Sequence, residues 1–221
     1  MERGKKMKSS EEKKEKLTPA QLKRQEKFLE VEAKMASDGY EMKEHTISAL
    51  YANVMAVVAS LPFFLPVIVL YAVINDGTKK NILEMGLKEI LLFLLFDIVL
   101  VVLHEAVHGI TWALFAKNHF RSIEFGIMKE LLTPYCTCSE PLKKGQYILG
   151  TLMPLFVVGL VPSAIAILLS RYWLLLVGVV MIIGAGGDII ISFRMLKYKS
   201  EKDEVIYYDH PTKCGFITFE K

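Results

Sequence analysis

Four long apolar blocks constrain this chain more than any other feature. They run from about Ser48 to Ile74, Leu87 to Phe115, Tyr147 to Ser170 and Tyr172 to Leu196. A helix needs roughly 20 apolar residues to cross the ~30 Å hydrocarbon core of a bilayer, so each block is long enough to span. Burying all four in a soluble core needs far more amphipathic covering surface than the rest of the 221 residues supplies. Apolar residues make up 52% of the chain, while the charges gather at the two ends and in one central loop. This patterning predicts an all-α membrane protein with four transmembrane helices. Ahead of the first span, Thr18-Pro19 offers an N-cap and a first-turn proline for a polar helix reaching about Ser37, which Asp38-Gly39 ends as a turn. Pro62 and Pro66 in span one, and Pro154 and Pro162 in span three, are expected to kink those helices.

The basic residues set the orientation. The N-terminal arm holds 12 of them, the loop between spans two and three holds 5, and the segment from Arg194 onward holds 6. Only Lys79, Lys80, Lys88 and Arg171 fall on the other side, so 23 stand against 4. That places both termini and the central loop in the cytoplasm of a multi-pass cell-membrane protein, with Tyr172 and Trp173 at an outer aromatic belt. The first residues lead into charge rather than a short apolar run, so no cleaved signal peptide is expected. Residues 1–16 are rich in lysine and glutamate and are expected to be disordered. The chain thus divides into a charged arm over 1–34, a four-span domain over 35–200 and a cytoplasmic tail over 201–221. A net charge of +3, with lysines interleaved by glutamates, excludes a nucleic-acid-binding surface. Cys136, Cys138 and Cys214 are too few for a disulfide framework and are expected as free thiols on the reducing side.

Chemistry is concentrated in span two, at His104-Glu105-Ala106-Val107-His108. Residues four apart share one helix face, so two imidazoles can grip one metal ion while Glu105 stands beside its water. Three polar groups inside an apolar span each cost a few kcal/mol, a cost that a bound divalent ion offsets. Zinc suits two histidine nitrogens, one carboxylate and a fourth position left for water. The third ligand expected is Asp188, the single acid of span four, behind the small residues Gly184-Ala185-Gly186-Gly187, which suggest close approach to span two. Depth agrees: His104 lies 17 residues after Leu87 and Asp188 lies 16 after Tyr172, and both spans run outside to inside. Asp97 competes, but it lies about 10 Å along the axis from His104 and suits a supporting or packing role better. His45, His119 and His210 lie outside the spans and are expected to be ordinary exposed histidines.

In the central loop, Ser122–Met128 alternates and Tyr135–Ser139 is bounded by Pro134 and Pro141. A small cytoplasmic β-hairpin there can present an edge strand to an extended peptide, as readily as the segment can be a plain connection. Cys136 and Cys138 share one strand face, but without a nearby histidine or second pair they do not suggest a second zinc site. The expected reaction is zinc-dependent hydrolysis of a peptide bond in a membrane-protein or membrane-associated substrate. Two other classes remain: a metal-binding membrane protein without catalysis, which need not keep Glu105, and a di-iron carboxylate enzyme, which needs a second E-x-x-H that this chain lacks.

These features together resemble the site-2-protease type of membrane metallopeptidase, and more narrowly a bacterial and archaeal family of zincin membrane peptidases with a four-span core. The resemblance covers roughly residues 35–200. It rests on Gly39-Tyr40, H-E-A-V-H, the Pro134–Pro141 loop, Met153-Pro154 and Gly184–Asp188. It implies His104 and His108 as zinc ligands, Asp188 as the third, and Glu105 as catalytic acid and base. The chain departs from the better-known members around the third ligand, where Gly-Gly-Asp-Ile stands in place of Asn-Pro-Asp-Gly. An asparagine expected in span three is also missing, with Thr151 the nearest polar group.

Overall fold

A computed structural model of the chain describes residues 18–75, 85–128 and 133–221. The arm over 1–16, Asp76, Gly77, Lys79 and Lys80 lie outside the described residues. Helix α1 (Pro19–Ser37) begins where the sequence predicts, on a reciprocal cap: Gln21 N–H donates to Thr18 Oγ1 at 3.3 Å, and Thr18 N–H donates to Gln21 Oε1 at 2.9 Å. Strand β1 (Glu41–Thr46) follows a turn in which Gly39 adopts φ 85°, a conformation glycine takes without strain.

Helix α2 (Ala49–Ile74) opens on the Ser48 cap and continues through both Pro62 and Pro66. Helix α3 (Leu87–Ala113) carries the H-E-A-V-H run near its end. A 3-10 turn (His119–Ser122) leads into the antiparallel hairpin β2 (Ile123–Met128) and β3 (Thr133–Cys138). After the two-residue strand β4 (Leu142–Lys143), helix α4 (Lys144–Pro154) passes into a π-helical stretch over Leu155–Leu160 and then α5 (Val161–Leu169). Proline lacks the N–H that would close the helical ladder, so the widened turns between Pro154 and Pro162 are where this span absorbs its two prolines. The fourth block is two helices, α6 (Tyr172–Gly184) and α7 (Gly186–Lys197), bent by 41°. The bend falls at Ala185 among glycines, which hold a helix weakly, and not at a proline.

By length and composition three helical stretches can cross a membrane, and the bent α6–α7 pair makes a fourth if it counts as one span. Leu91, Leu95, Ile98 and Val102 stand exposed along α3, as a lipid-facing surface requires. Helix α6 runs through the interior, with Leu174, Leu175, Val177 and Met181 packed against Leu100, Val158 and Ala166. Gly178 makes this possible, since a Cβ there would lie 2.2 Å from Ser163 Oγ.

The helical expectation therefore holds in coarse form, but an antiparallel sheet must be added to it. Strands β5 (Val205–Asp209) and β6 (Gly215–Glu220) form a hairpin within residues 201–221, and the sheet order is β1-β6-β5-β4. Phe28 and Met35 of α1 pack on Tyr208, Ile217 and Phe219 of this sheet. A second cluster joins Trp112 of α3, Cys136 and Cys138 of β3, Tyr147 of α4, Met195 of α7 and Tyr207 of β5. Sheet, hairpin and the ends of three apolar helices thus meet at one place, and the H-E-A-V-H turn lies beside it.

Candidate metal centre

His104 and His108 project from one face of α3, and Asp188 comes from the first turn of α7. The 41° bend creates that first turn in mid-span, and the free N–H groups of a helix start favour a carboxylate. His104 Nε2 lies 3.2 Å from Asp188 Oδ2 and 3.2 Å from His108 Nε2. His108 Nε2 lies 3.5 Å from the same carboxylate oxygen. Among the described residues these three form the group whose ligand atoms all lie within 4.8 Å of one another.

The donor set fits a zinc ion on its own chemistry. His108 Nδ1 lies 2.8 Å from the Gly150 carbonyl, to which it donates, so the neutral ring presents a bare Nε2 lone pair to the cluster. Lone pairs from two imidazoles and one carboxylate then converge on a single point. A tetrahedral ion with ligand bonds of about 2.0–2.1 Å separates its ligands by about 3.3 Å, the scale of the three distances above.

The supporting contacts run outward from His108. Trp112 stacks on its ring with centroids 5.1 Å apart, and Trp112 Nε1 donates to the Tyr147 carbonyl at 3.1 Å. Gly150 lets the two helices approach this closely, because a Cβ there would meet the Trp112 ring at 2.1 Å. Thr151 Oγ1 donates to the same Tyr147 carbonyl at 2.9 Å, and Tyr147 OH donates to Asp209. Asp209 also accepts from the Cys138 N–H at 3.3 Å. Desolvation pushes its carboxyl group up to about 7.

Glu105 follows His104 on α3 and lines one cavity with Pro134, Tyr135 and Cys136 of β3. The hairpin packs on α3 here, and β3 forms part of the cavity wall. Gly109 permits this contact, as a Cβ there would lie 2.7 Å from Phe125 and 2.9 Å from Ile123. The cavity, about 250 Å³, is lined by Glu105 and the three candidate ligand residues together with Tyr135, Thr151 and Asp209.

The structure brings His104, His108 and Asp188 together and sets Glu105 at the cavity wall beside them. Asp97 stays apart, and its Oδ1 is buried without a hydrogen-bond partner among the described residues. Span four does approach span two, through Asp188 and α6, but the glycine that is packed tightly before Asp188 meets span one. A Cβ on Gly186 would lie 2.2 Å from the Ala56 carbonyl of α2, whereas Gly184 and Gly187 face open space. Two of the three outlying histidines also differ from expectation. His119 is exposed, but His45 packs between Tyr198 and Phe216, and His210 is buried with its Nδ1 accepting from the Thr212 and Lys213 N–H groups. Cys136 and Cys138 are free but buried, and burial pushes the Cys138 thiol up to about 12. Asp209 and Tyr147 were not among the site residues expected. Asp209 sits in a polar C-terminal stretch with no metal-ligand spacing, so no local signal marks it.

A family model described as "Putative zincin peptidase" matches residues 98–202. The match supports the zincin peptidases. It begins inside α3 ahead of the motif and ends just after α7, so all three candidate ligands fall within it and Asp209 falls outside. A zincin assignment implies zinc as the cofactor. No curated protein and no solved structure matches the chain.

Proposed function

We propose that the chain is a zinc-dependent endopeptidase set in the cell membrane, cutting membrane-protein or membrane-associated substrates within or next to the bilayer. The observation that carries this reading is the convergence of His104, His108 and Asp188 on one point, with Glu105 beside them in the same cavity. His104, His108 and Asp188 hold the ion, and zinc bound there supplies Lewis-acid activation of water and of the scissile carbonyl. Glu105 takes the proton of the attacking water and returns it to the leaving amine nitrogen. Thr151 and Tyr147 keep Trp112 against His108, and Trp112 with the Gly150 carbonyl fixes the imidazole plane.

A helical peptide bond is shielded, so the substrate must be unwound before attack. The hairpin supports this step, since Pro134, Tyr135 and Cys136 of β3 line the cavity and can contact an extended segment laid along it. With 23 basic residues on one side and 4 on the other, the termini, the sheet and the hairpin belong to the cytoplasm. The site then lies in the cytoplasmic half of the bilayer. Alone among the alternatives, a metal-binding membrane protein without catalysis shares the ligand triad.

The Glu105→Gln variant separates the two. In detergent, the parent is expected to hold about one zinc per chain, and Glu105→Gln to hold as much while losing at least about 100-fold in cleavage, the scale of general acid–base help. Asp188→Ala is expected to lose most of the zinc. Cleavage by Glu105→Gln at the parental rate removes the peptidase mechanism, and full zinc in Asp188→Ala removes the third ligand.

A further inference from the structure

A second and larger cavity, about 800 Å³, lies on the far side of α7 from the metal centre. Its volume is in the upper range of sites that bury a whole organic ligand. One wall is α2, through Tyr51, Met55, Val58 and Pro62, and the other is α7, through Ile190, Phe193, Arg194 and Lys197. Spacings of three and four put each set on one helix face, so the two faces form a groove that opens sideways between the helices. His45, Tyr198 and Phe216 of the sheet region close one end.

The groove is graded along its length. Its apolar part lies between Val58, Pro62, Phe63 and Ile189, within the spans. Its charge lies at the sheet end, where α7 ends and α2 begins. No acid lines the cavity among the described residues. Arg194 Nε is buried and has no hydrogen-bond partner among the described residues, and neither Arg194 nor Lys197 makes an ion pair there. The Lys197 ammonium rests over the Phe193 ring at 4.4 Å, held at the mouth of the groove. An arginine whose Nε is buried without a partner calls for an anion, and the apolar slot beside it calls for a hydrocarbon chain. A basic pocket between membrane helices at the cytoplasmic side matches an anionic phospholipid in both respects.

We infer that the α2–α7 groove is a binding site for an anionic phospholipid, its phosphate on Arg194 and Lys197 and an acyl chain along Val58, Pro62, Phe63 and Ile189. The inner leaflet as its source rests on the orientation proposed above; the lipid chemistry does not, and neither depends on peptidase activity. Ile189 and Ile190 follow Asp188 directly, so a lipid seated here braces the half-helix that brings the third ligand to the site.

The full chain in a neutral detergent is titrated with dioleoyl-phosphatidylglycerol or dioleoyl-phosphatidylcholine, and bound lipid is read by native mass spectrometry. The expected result is one tight phosphatidylglycerol, bound about 30-fold more strongly than phosphatidylcholine, the scale that two basic groups near a membrane surface give. Arg194→Gln/Lys197→Gln should bring the two lipids within about twofold while keeping the parental zinc content. Where the double variant does not fold, Lys197→Gln alone is measured, and it should lower the preference at least threefold. Equal binding of both lipids by the parent overturns the site, as does an unchanged preference in the variants. Competition by water-soluble glycerophosphoglycerol as strong as by the lipid shows an anion site without a chain slot and overturns the proposal. Displacement of the lipid by a neutral single-span helical peptide at equimolar concentration also overturns it, since the groove is then a helix-docking face.

Discussion

Gly150 governs the metal centre at the scale of one residue. Its carbonyl accepts the His108 Nδ1–H at 2.8 Å, and its missing side chain leaves room for the Trp112 ring, which stacks on the same imidazole. A methyl group placed 2.1 Å from that ring must push it aside, and overpacking of this kind costs about 1–3 kcal/mol. Gly150→Ala is therefore expected to weaken zinc binding by about 10–100-fold, the usual penalty for disturbing a ligand's partner, while His104, His108 and Asp188 all remain. Gly145→Ala, in the same helix but with open space around it, is the control and should bind zinc like the parent. Competition with a chromophoric chelator measures both. His104, Glu105 and His108 were legible as candidates because chemistry at a fixed helical spacing is a local signal, and Asp188 because it is the single acid of its span. Gly150, Tyr147 and Asp209 were not, because a glycine that admits a distant indole looks like any other glycine until the second helix is in place.

At the scale of elements, the unexpected one is the sheet that joins β1 to the C-terminal hairpin. Glu220 locks it. The residue is fully buried, and its carboxylate accepts from Lys43 Nζ at 2.7 Å, Ser200 Oγ at 2.7 Å, Thr218 Oγ1 at 2.8 Å and the Tyr198 hydroxyl. Burial alone would raise its pKa, but these donors, Lys43 foremost, outweigh it and hold the carboxyl at about 2. A folded pKa below the unfolded value of about 4.3 means stability that is complete above that pH and lost as pH falls from there toward 2. Glu220→Gln is expected to lower stability at pH 7 by about 1–3 kcal/mol, the range for hydrogen bonds to a charged group. The gap between parent and variant should close between pH 4.5 and pH 2.5 in thermal unfolding. An undiminished gap at pH 2.5 would show that the carboxylate's charge does not lock the sheet. Strand pairing between residues 41–46 and 215–220 has no signature in a window of ten residues, since each strand is short and its partner lies far along the chain. The central hairpin was only half legible, as its alternation suits a strand but does not require one.

At the scale of the whole molecule, the proposed orientation is open to a direct test. Cys136 and Cys138 are buried and report neither side, so the informative thiols are Cys214 and cysteines placed at exposed positions. With an impermeant maleimide on intact cells, Arg171→Cys in the turn before α6 is expected to label. Lys202→Cys and the native Cys214 should label only after the membrane is opened. External labelling of Lys202→Cys reverses the orientation and moves the site to the other face. The four apolar blocks, the cap of α1 and the H-E-A-V-H turn were determined by sequence alone, because a bilayer reads length and hydropathy and a helix reads spacing. Tertiary structure alone decided that span four breaks at Ala185 and presents Asp188 from a mid-span helix start, that Gly186 packs on span one, and that the C-terminal strands close over the site with Asp209. Each of these depends on which surfaces face one another across the bundle, and a linear pattern of residues does not record that.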